Sequence, residues 1–152
     1  AMAEVIIAHG GLVDQFVGDA VMAVFGAPEP TLDHAERGIR CALAMQERQT
    51  ELNGEAAADG RPPIGMGIGL NTGRVMAGTV GGGGRLEYTV VGDVVNVAAR
   101  LQAEAKAGEI VAGAATVAAA PGVDAEPIGL RQVKGREEPV EVYRVLAPED
   151  GA

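Results

Sequence analysis

Two apolar runs meet at the dipeptide Gly18-Asp19 within residues 13–26, VDQFVGDAVMAVFG. Strand-like runs joined by Gly-Asp are typical of a β-hairpin with a tight turn, so we predict strands over residues 12–17 and 20–25. Such a hairpin would hold the Asp19 carboxylate rigidly at its tip, as a metal ligand has to be held. A simpler explanation also exists, because Gly-Asp closes a hairpin without any ligand.

The length and composition predict one domain over residues 1–152, large enough to bury a core. Apolar residues make up 47% of the chain but aromatic residues only 3%, so the core must be built from small and aliphatic side chains. The net charge of −9 argues against non-specific binding to nucleic acid or to an anionic membrane. A phosphate-binding site would therefore need its Lys and Arg residues concentrated in one place.

The single cysteine, Cys41, excludes an internal disulfide framework and fits a reducing compartment. We interpret it as a small core residue of a helix. The sequence shows neither a signal peptide nor a run of 18 apolar residues, so we expect a soluble, cytoplasmic domain without a membrane segment.

Hydrophobic spacing and turn residues predict alternating helices, strands and hairpins, hence an α+β fold with a largely antiparallel sheet. After the hairpin, Asp33 and Glu36 form a predicted capping box that opens a long helix. The remaining predicted elements are helices over 3–9, 34–52, 94–105 and 114–120, a loop over 53–63, and strands over 64–71, 74–80, 86–91, 109–112 and 140–146.

Glycine alternates with Ile, Met and Leu along the predicted strand 64–71. One face of this strand therefore carries no side chains. Because an interior glycine in a strand often marks the close approach of another backbone, we predict that a neighbouring element packs tightly against this face.

Several well-known catalytic motifs are absent from the sequence. The glycine-rich runs match neither a dinucleotide-binding fingerprint nor a P-loop, and there is no nucleophile elbow, HExxH or paired CxxC. The polar candidates that remain besides Asp19 are Asn96 and Arg100, four residues apart on one helix face, and Lys134. Taken singly, these residues could equally be a helix cap, a surface cation and a turn cation.

Taken together, four segments in this order resemble the class III nucleotidyl cyclase catalytic domain. They are FVGDAVMAVFG, GIGLNTG, RLEYTVVGDVVNVAARL and VKGREEPVEVY, and the resemblance covers residues 10–146. It implies a ferredoxin-like antiparallel sheet with helices packed on it and a head-to-tail homodimer with shared nucleotide sites. It also implies conversion of a nucleoside triphosphate to a 3′,5′-cyclic monophosphate and pyrophosphate.

The resemblance also implies a role for each polar candidate. Asp19 matches the second of two metal aspartates, which bind Mg²⁺ or Mn²⁺, two ions in the family's complete site. Asn96 matches the residue that orients the ribose, and Arg100 the residue that stabilises charge on the α-phosphate. Lys134 matches a residue on the terminal phosphates.

Gln15 and Thr89 fall at the family's two purine-reading positions. Adenylyl cyclases usually carry Lys at the first position, and many carry Asp at the second. A glutamine amide can present either its oxygen or its nitrogen, so it fits adenine or guanine. The resemblance favours ATP, because Thr at the second position is common in bacterial adenylyl cyclases, and we expect loose ATP/GTP selectivity.

The family's first metal aspartate lies on a strand that precedes the helix with which this sequence begins. No such strand is present, so we expect a domain truncated at its N-terminus and a gap in its core. We also expect the fragment to be inactive alone, unless a parent chain, with its regulatory domains, supplies the aspartate. Two hypotheses stay open: an adenylyl cyclase domain acting on ATP, and a non-catalytic cyclase-homology module that binds nucleotide or only dimerises.

Overall fold

The computed structural model describes residues 2–17, 20–26, 32–73, 76–80, 87–131 and 139–146. No helix in this part of the chain is both long enough and apolar enough to span a bilayer. The elements in chain order are α1 (Met2–Ala8), β1 (Leu12–Val17), β2 (Ala20–Val24), α2 (His34–Ala58), β3 (Ile68–Leu70), β4 (Met76–Val80), β5 (Glu87–Val91), α3 (Asp93–Glu104), β6 (Ile110–Gly113), α4 (Ala114–Ala118), β7 (Ala125–Arg131) and β8 (Val140–Val145).

A four-stranded sheet forms the centre of the molecule, with the strand order β3-β6-β8-β7. The β3/β6 pair is parallel, and the β6/β8 and β7/β8 pairs are antiparallel. Strands β1 and β2 pair as an antiparallel hairpin, and β4 pairs with β5 in the same sense. This arrangement confirms the predicted α+β class and the predicted hairpin.

Helices cover both faces of the central sheet. Ile110 and Ala112 of β6 pack in one cluster with Ile39 and Ala42 of α2. The residue between them, Val111, packs on the opposite face with α3. Because successive side chains of a strand point to opposite faces, one short apolar strand can serve two helix layers.

The prediction of a bare strand face is confirmed by the packing of β3 against α3. A Cβ on Gly69 would lie 2.5 Å from the Ala98 carbonyl oxygen, and one on Gly67 would lie 2.5 Å from the Ala105 carbonyl oxygen. Only glycine leaves room for the helix backbone at these positions. The glycines therefore fix the distance between β3 and the helix that carries Asn96 and Arg100.

The predicted capping box at the start of α2 is wrong. Asp33 is the N-cap residue, but its side chain makes no capping hydrogen bond. Its carboxylate instead accepts from Arg37 Nε at 2.9 Å, and Glu36 accepts from Arg40 at 2.6 Å. Both carboxylates have an arginine one turn further along, and a charge-assisted hydrogen bond is stronger than one to a neutral backbone amide.

Helix α2 is longer than predicted, and the following strand is shorter. The helix continues to Ala58 because the run of alanines at its end favours helix and Ala56 is buried. Asn53, predicted to begin a loop, hydrogen-bonds to both backbone groups of Ile64 at 2.9 Å. These contacts satisfy the backbone hydrogen-bonding groups of Ile64 without pairing to another strand. The strand therefore begins only at Ile68.

Strand β7 was not predicted from the sequence. Pro127 and Gly129 lie inside it, and both residue types weaken a strand pattern. The structure accommodates them by a shift of register against β8 between these two residues, where Gly129 has a φ of +113°. A bulge of this kind hides the strand from a simple alternation pattern.

A cavity of about 300 Å³ lies between the hairpin and the central sheet, lined by residues of β2, β3, α2 and α3. Strands β2 and β3 belong to different sheets among the described residues, and each is paired along one edge. The gap predicted in the core from a missing strand stays a prediction. Cys41 lies on the α2 side of the cavity, is 1% exposed and so confirms the prediction of a core cysteine.

Candidate active site

Strand β5 leads into α3 through a single glycine. Gly92 has a φ of +143°, a conformation that side-chain-bearing residues rarely adopt, and it forms the N-cap of the helix. Its carbonyl oxygen accepts from the backbone N–H groups of Val95 at 3.1 Å and Asn96 at 3.3 Å. The sharp turn brings the first turn of α3 directly after the strand that carries Thr89.

Asn96 and Arg100 lie one turn apart on the exposed side of α3, as predicted. The residues that follow each of them in the sequence, Val97 and Leu101, are fully buried against the sheet. Since the helix begins at Asp93 with Gly92 as its cap, Asn96 lies inside the helix and is not its cap residue. One turn of helix therefore presents an amide and a guanidinium on its open side.

Hydrogen bonds from the end of β3 fix the start of α3. The Asn71 amide nitrogen donates to the Val94 carbonyl oxygen at 3.2 Å. Next to it, the hydroxyls of Thr72 and the buried Thr116 lie 2.7 Å apart, which ties the same segment to α4. The helix is therefore held at its first turn by the Asn71 side chain and further along by the close approach of Gly67 and Gly69.

Arg100 is paired within its own helix. Its Nε lies 3.3 Å from Glu104 Oε1, and the Arg100 side chain is 55% exposed. The other carboxylate oxygen of Glu104 lies 3.4 Å from Nε of Arg131, the last residue of β7. Neither Glu104 nor Arg131 was predicted as a partner of Arg100; the spacing of four residues could have indicated Glu104, but no sequence signal connects Arg131 to it.

The two predicted purine-reading residues lie on strands that contact each other. Gln15 pairs with Met22 across the hairpin, and Thr89 pairs with Gly78 in the β4/β5 ladder. Strand β1 contacts β5, and β5 contacts α3. The fold therefore brings the strands of Gln15 and Thr89 together beside the helix that carries Asn96 and Arg100.

Asp19 and Lys134 lie outside the described residues, as do the predicted loop over 27–31, the glycine-rich tip over 81–84 and the charged turn over 134–138. Within the described ranges, no three His, Cys, Asp or Glu side chains come close enough together to hold a metal ion. The roles of Asp19 as a metal ligand and of Lys134 as a phosphate ligand stay predictions.

Comparison with known proteins places this arrangement in a family. Residues 8–147 match the model of the adenylate and guanylate cyclase catalytic domain. The chain belongs to this family of catalytic domains. The class III nucleotidyl cyclase resemblance read from the four sequence segments is thereby confirmed.

Solved cyclase structures have the same fold. The guanylyl cyclase Cya2 superposes with a TM-score of 0.87 at 37% identity, covering 99% of this chain and 77% of that one. The adenylyl cyclase CyaB from P. aeruginosa gives a TM-score of 0.88 at 32% identity, covering 98% of this chain and 78% of that one. The chain is thus similar to cyclases of both nucleotide classes.

A curated relative is considerably longer. Adenylate cyclase 1 of Rhizobium meliloti (strain 1021) is 38% identical over 146 residues, which is 94% of this chain but 22% of the relative. The chain thus spans about a fifth of the length of that protein. The similarity concerns the cyclase domain and not the rest of that protein.

Proposed function

We propose that this cyclase-family domain is an adenylyl cyclase domain that converts ATP to 3′,5′-cyclic AMP and pyrophosphate. The observation that carries the proposal is the pair of exposed side chains, Asn96 and Arg100, one turn apart on a helix fixed by Asn71 and by the close contacts of Gly67 and Gly69. A rigid amide and guanidinium suit a substrate with a ribose and a polyphosphate, because both groups require donors in fixed positions.

In the proposed reaction the ribose 3′-hydroxyl oxygen attacks the α-phosphorus. The bond from that phosphorus to the oxygen bridging the α- and β-phosphates breaks, pyrophosphate leaves, and the hydroxyl proton passes to solvent. Asn96 would hold the ribose so that the 3′-oxygen lies in line with the leaving group. Arg100 would donate to the α-phosphate oxygens, on which negative charge increases in the transition state.

The other predicted residues would bind the terminal phosphates and the purine base. Lys134 would pair with the terminal phosphates, and Gln15 and Thr89 would contact the base. Asp19 would hold Mg²⁺ or Mn²⁺, and the ion, when bound, would act as a Lewis acid that lowers the pKa of the 3′-hydroxyl. Each residue type suits the group that it would meet: a cation the phosphates, amide and hydroxyl groups the base, and a carboxylate the metal.

We propose ATP as the preferred purine nucleotide, with weak discrimination against GTP. The similarity to a relative named adenylate cyclase supports ATP, and the similarity to a guanylyl cyclase supports loose selection. A neutral amide at Gln15 can present a donor or an acceptor to the base. Because one neutral hydrogen bond contributes about 0.5 to 1.5 kcal/mol net, we expect kcat/KM for ATP to exceed that for GTP by about tenfold or less.

The experiment measures cyclic nucleotide formed from ATP and from GTP with Mn²⁺, for the parent protein that supplies the first metal aspartate and for two variants of it. Arg100→Ala should lower kcat by about 10²- to 10³-fold, the usual cost of removing one donor that stabilises a transition-state oxyanion. Arg40→Ala is the matched control, because Arg40 is also an exposed helical arginine in an i,i+4 ion pair with a carboxylate. It should leave the rate unchanged.

Two results would contradict the proposal. One is an Arg100→Ala variant as active as the native chain. The other is a folded parent protein that binds ATP without forming the cyclic product, which would support a non-catalytic, nucleotide-binding cyclase module instead.

A further inference from the structure

One carboxylate lies between two arginines at the end of α3. Glu104 Oε1 is 3.3 Å from Arg100 Nε, and Glu104 Oε2 is 3.4 Å from Arg131 Nε. The Glu104 side chain is 29% exposed and is the most buried of the three. This cluster, Arg100-Glu104-Arg131, joins the helix of the proposed catalytic arginine to the central sheet.

Arg131 is fixed by its own strand. Its Nη1 donates to the carbonyl oxygens of Leu130 at 3.1 Å and Ile128 at 3.4 Å. These carbonyls lie at the register shift of β7, where Gly129 has a positive φ, so the bulge turns them toward the guanidinium. With two backbone acceptors on Nη1, the Arg131 guanidinium is an anchor of set position for Glu104.

Stability does not account for this cluster. On a helix, an ion pair is more favourable when the carboxylate precedes the cation, and here Arg100 precedes Glu104. Glu104 also lies at the C-terminal end of α3, where the helix dipole disfavours a negative charge. Ion pairs this exposed contribute little to folding. A positional role explains the contacts better.

The charge of the cluster suits an anionic ligand. One carboxylate neutralises only one of the two guanidinium groups, so the cluster itself keeps a net positive charge in a chain of net charge −9. Arg131 is also the last described residue before the segment 132–138, which contains Lys134. Glu104 therefore connects Arg100 to the strand that leads to the predicted phosphate lysine.

We propose that Glu104 is a positioning residue, which, held by Arg131, sets the orientation of the Arg100 guanidinium for the substrate phosphates. This inference rests on the proposed function. A pairing at Nε restricts rotation of the guanidinium plane, so Arg100 would reach the transition state without first having to be ordered. Glu104 itself does not touch the substrate.

The test compares steady-state kinetics of ATP turnover with Mn²⁺ in four variants. Glu104→Ala should lower kcat about tenfold and change KM by less than about threefold, since orientation of Arg100 matters most in the transition state. Glu104→Gln keeps an acceptor of the same length and should lose less. Arg131→Gln should lower kcat like Glu104→Ala. The matched control is Glu36→Gln, a carboxylate in the i,i+4 pair with Arg40, which should keep the native kcat.

Two further measurements make the result decisive. Thermal unfolding should show a similar Tm for Glu104→Ala and the native chain; a large fall in Tm with native kcat would overturn the proposal in favour of a structural role. The Nε–H signals of Arg100 and Arg131 in ¹⁵N-labelled chain should both shift in Glu104→Gln, even if the native chain forms no cyclic nucleotide. Unmoved arginine signals would overturn the proposal independently of the proposed function.

Discussion

Three carboxylates at the helices each pair with an arginine four residues away in the sequence. Asp33 is the clearest case, because its hydrogen bond to Arg37 lowers the pKa of its carboxyl and removes it from its expected capping role. Glu36 and Glu104 form pairs of the same spacing with Arg40 and Arg100. A capping motif and an i,i+4 pair use the same residues, and the sequence alone does not show which interaction forms.

Cys41 provides a prediction about the pH dependence of stability. Burial raises the pKa of its thiol to about 11, from an ordinary value of 9.0. In the unfolded chain the thiol ionises near pH 9, while in the folded chain it stays protonated until about pH 11. The protonated thiol therefore contributes its full share to the free energy of unfolding below pH 9. About 2 kcal/mol of that contribution is lost as the pH rises toward 11.

The measurement is the free energy of unfolding by urea between pH 8 and pH 11, for the native chain and for Cys41→Ala. The variant lacks the thiol, so the difference between the two proteins isolates this one titration from that of other groups. The free energy of unfolding of the native chain, relative to that of Cys41→Ala, should fall by about 2 kcal/mol between pH 8 and pH 11. A difference that stays constant, or a native thiol that ionises near pH 9 by its ultraviolet absorbance, would contradict the prediction.

Elements with strong local patterns were predicted well from the sequence. The hairpin β1/β2 follows from two β-rich runs around a turn dipeptide, and the bare face of β3 follows from glycines at every second position. Asn96 and Arg100 were placed on one helix face by their spacing alone, and the structure shows that this face is exposed. These features depend on neighbours in the sequence, and local physics fixes them.

Features that depend on distant parts of the chain were not predictable. Strand β7 exists because β8 pairs with it around a bulge at Pro127 and Gly129. The contact between Glu104 and Arg131 joins residues far apart in the sequence. The late start of β3, at Ile68, depends on Asn53 of α2 binding Ile64. In each case a tertiary contact overrides the local pattern.

The contact between β3 and α3 leads to a prediction at the scale of elements. In Gly69→Ala the new Cβ would meet the backbone of Ala98 and Gln102, which cannot move without shifting α3. We expect destabilisation by about 2 to 3 kcal/mol, the usual cost of an overpacked core, together with lower activity because Asn96 and Arg100 move with the helix.

Gly54→Ala is the matched control for this change. Gly54 lies within α2, and a Cβ there would meet no heavy atom within 4 Å. Alanine is the better helix former, so this variant should be more stable than the native chain by about 0.5 to 1 kcal/mol. Urea unfolding of both variants checks the prediction; a Gly69→Ala protein of native stability would show that the strand and helix are not packed this tightly.

At the scale of the whole molecule, we propose that the site is shared between two copies of the chain. By the family resemblance, one protomer supplies the metal carboxylate and its partner supplies the contacts to the purine, ribose and phosphates. Asp19 would then serve one copy of the site, while Arg100 of the same chain serves the other. Phe16, beside Gln15 on β1, is 69% exposed. A second copy of the chain would bury this apolar side chain in an interface.

A shared site predicts that two inactive chains complement each other. Asp19→Ala and Arg100→Ala proteins should each form little cyclic nucleotide alone. In a heterodimer both lesions fall in one site, so the other site is intact. Random pairing of equal amounts makes half of the dimers heterodimers, and the mixture should recover about a quarter of the native activity in a two-fold symmetric assembly.

The measurement is cyclic nucleotide formation from ATP with Mn²⁺ after mixing, with heterodimers detected by native mass spectrometry. The control is Arg100→Ala mixed with itself, which should stay inactive. Heterodimers without recovered activity would show that each chain builds its site alone.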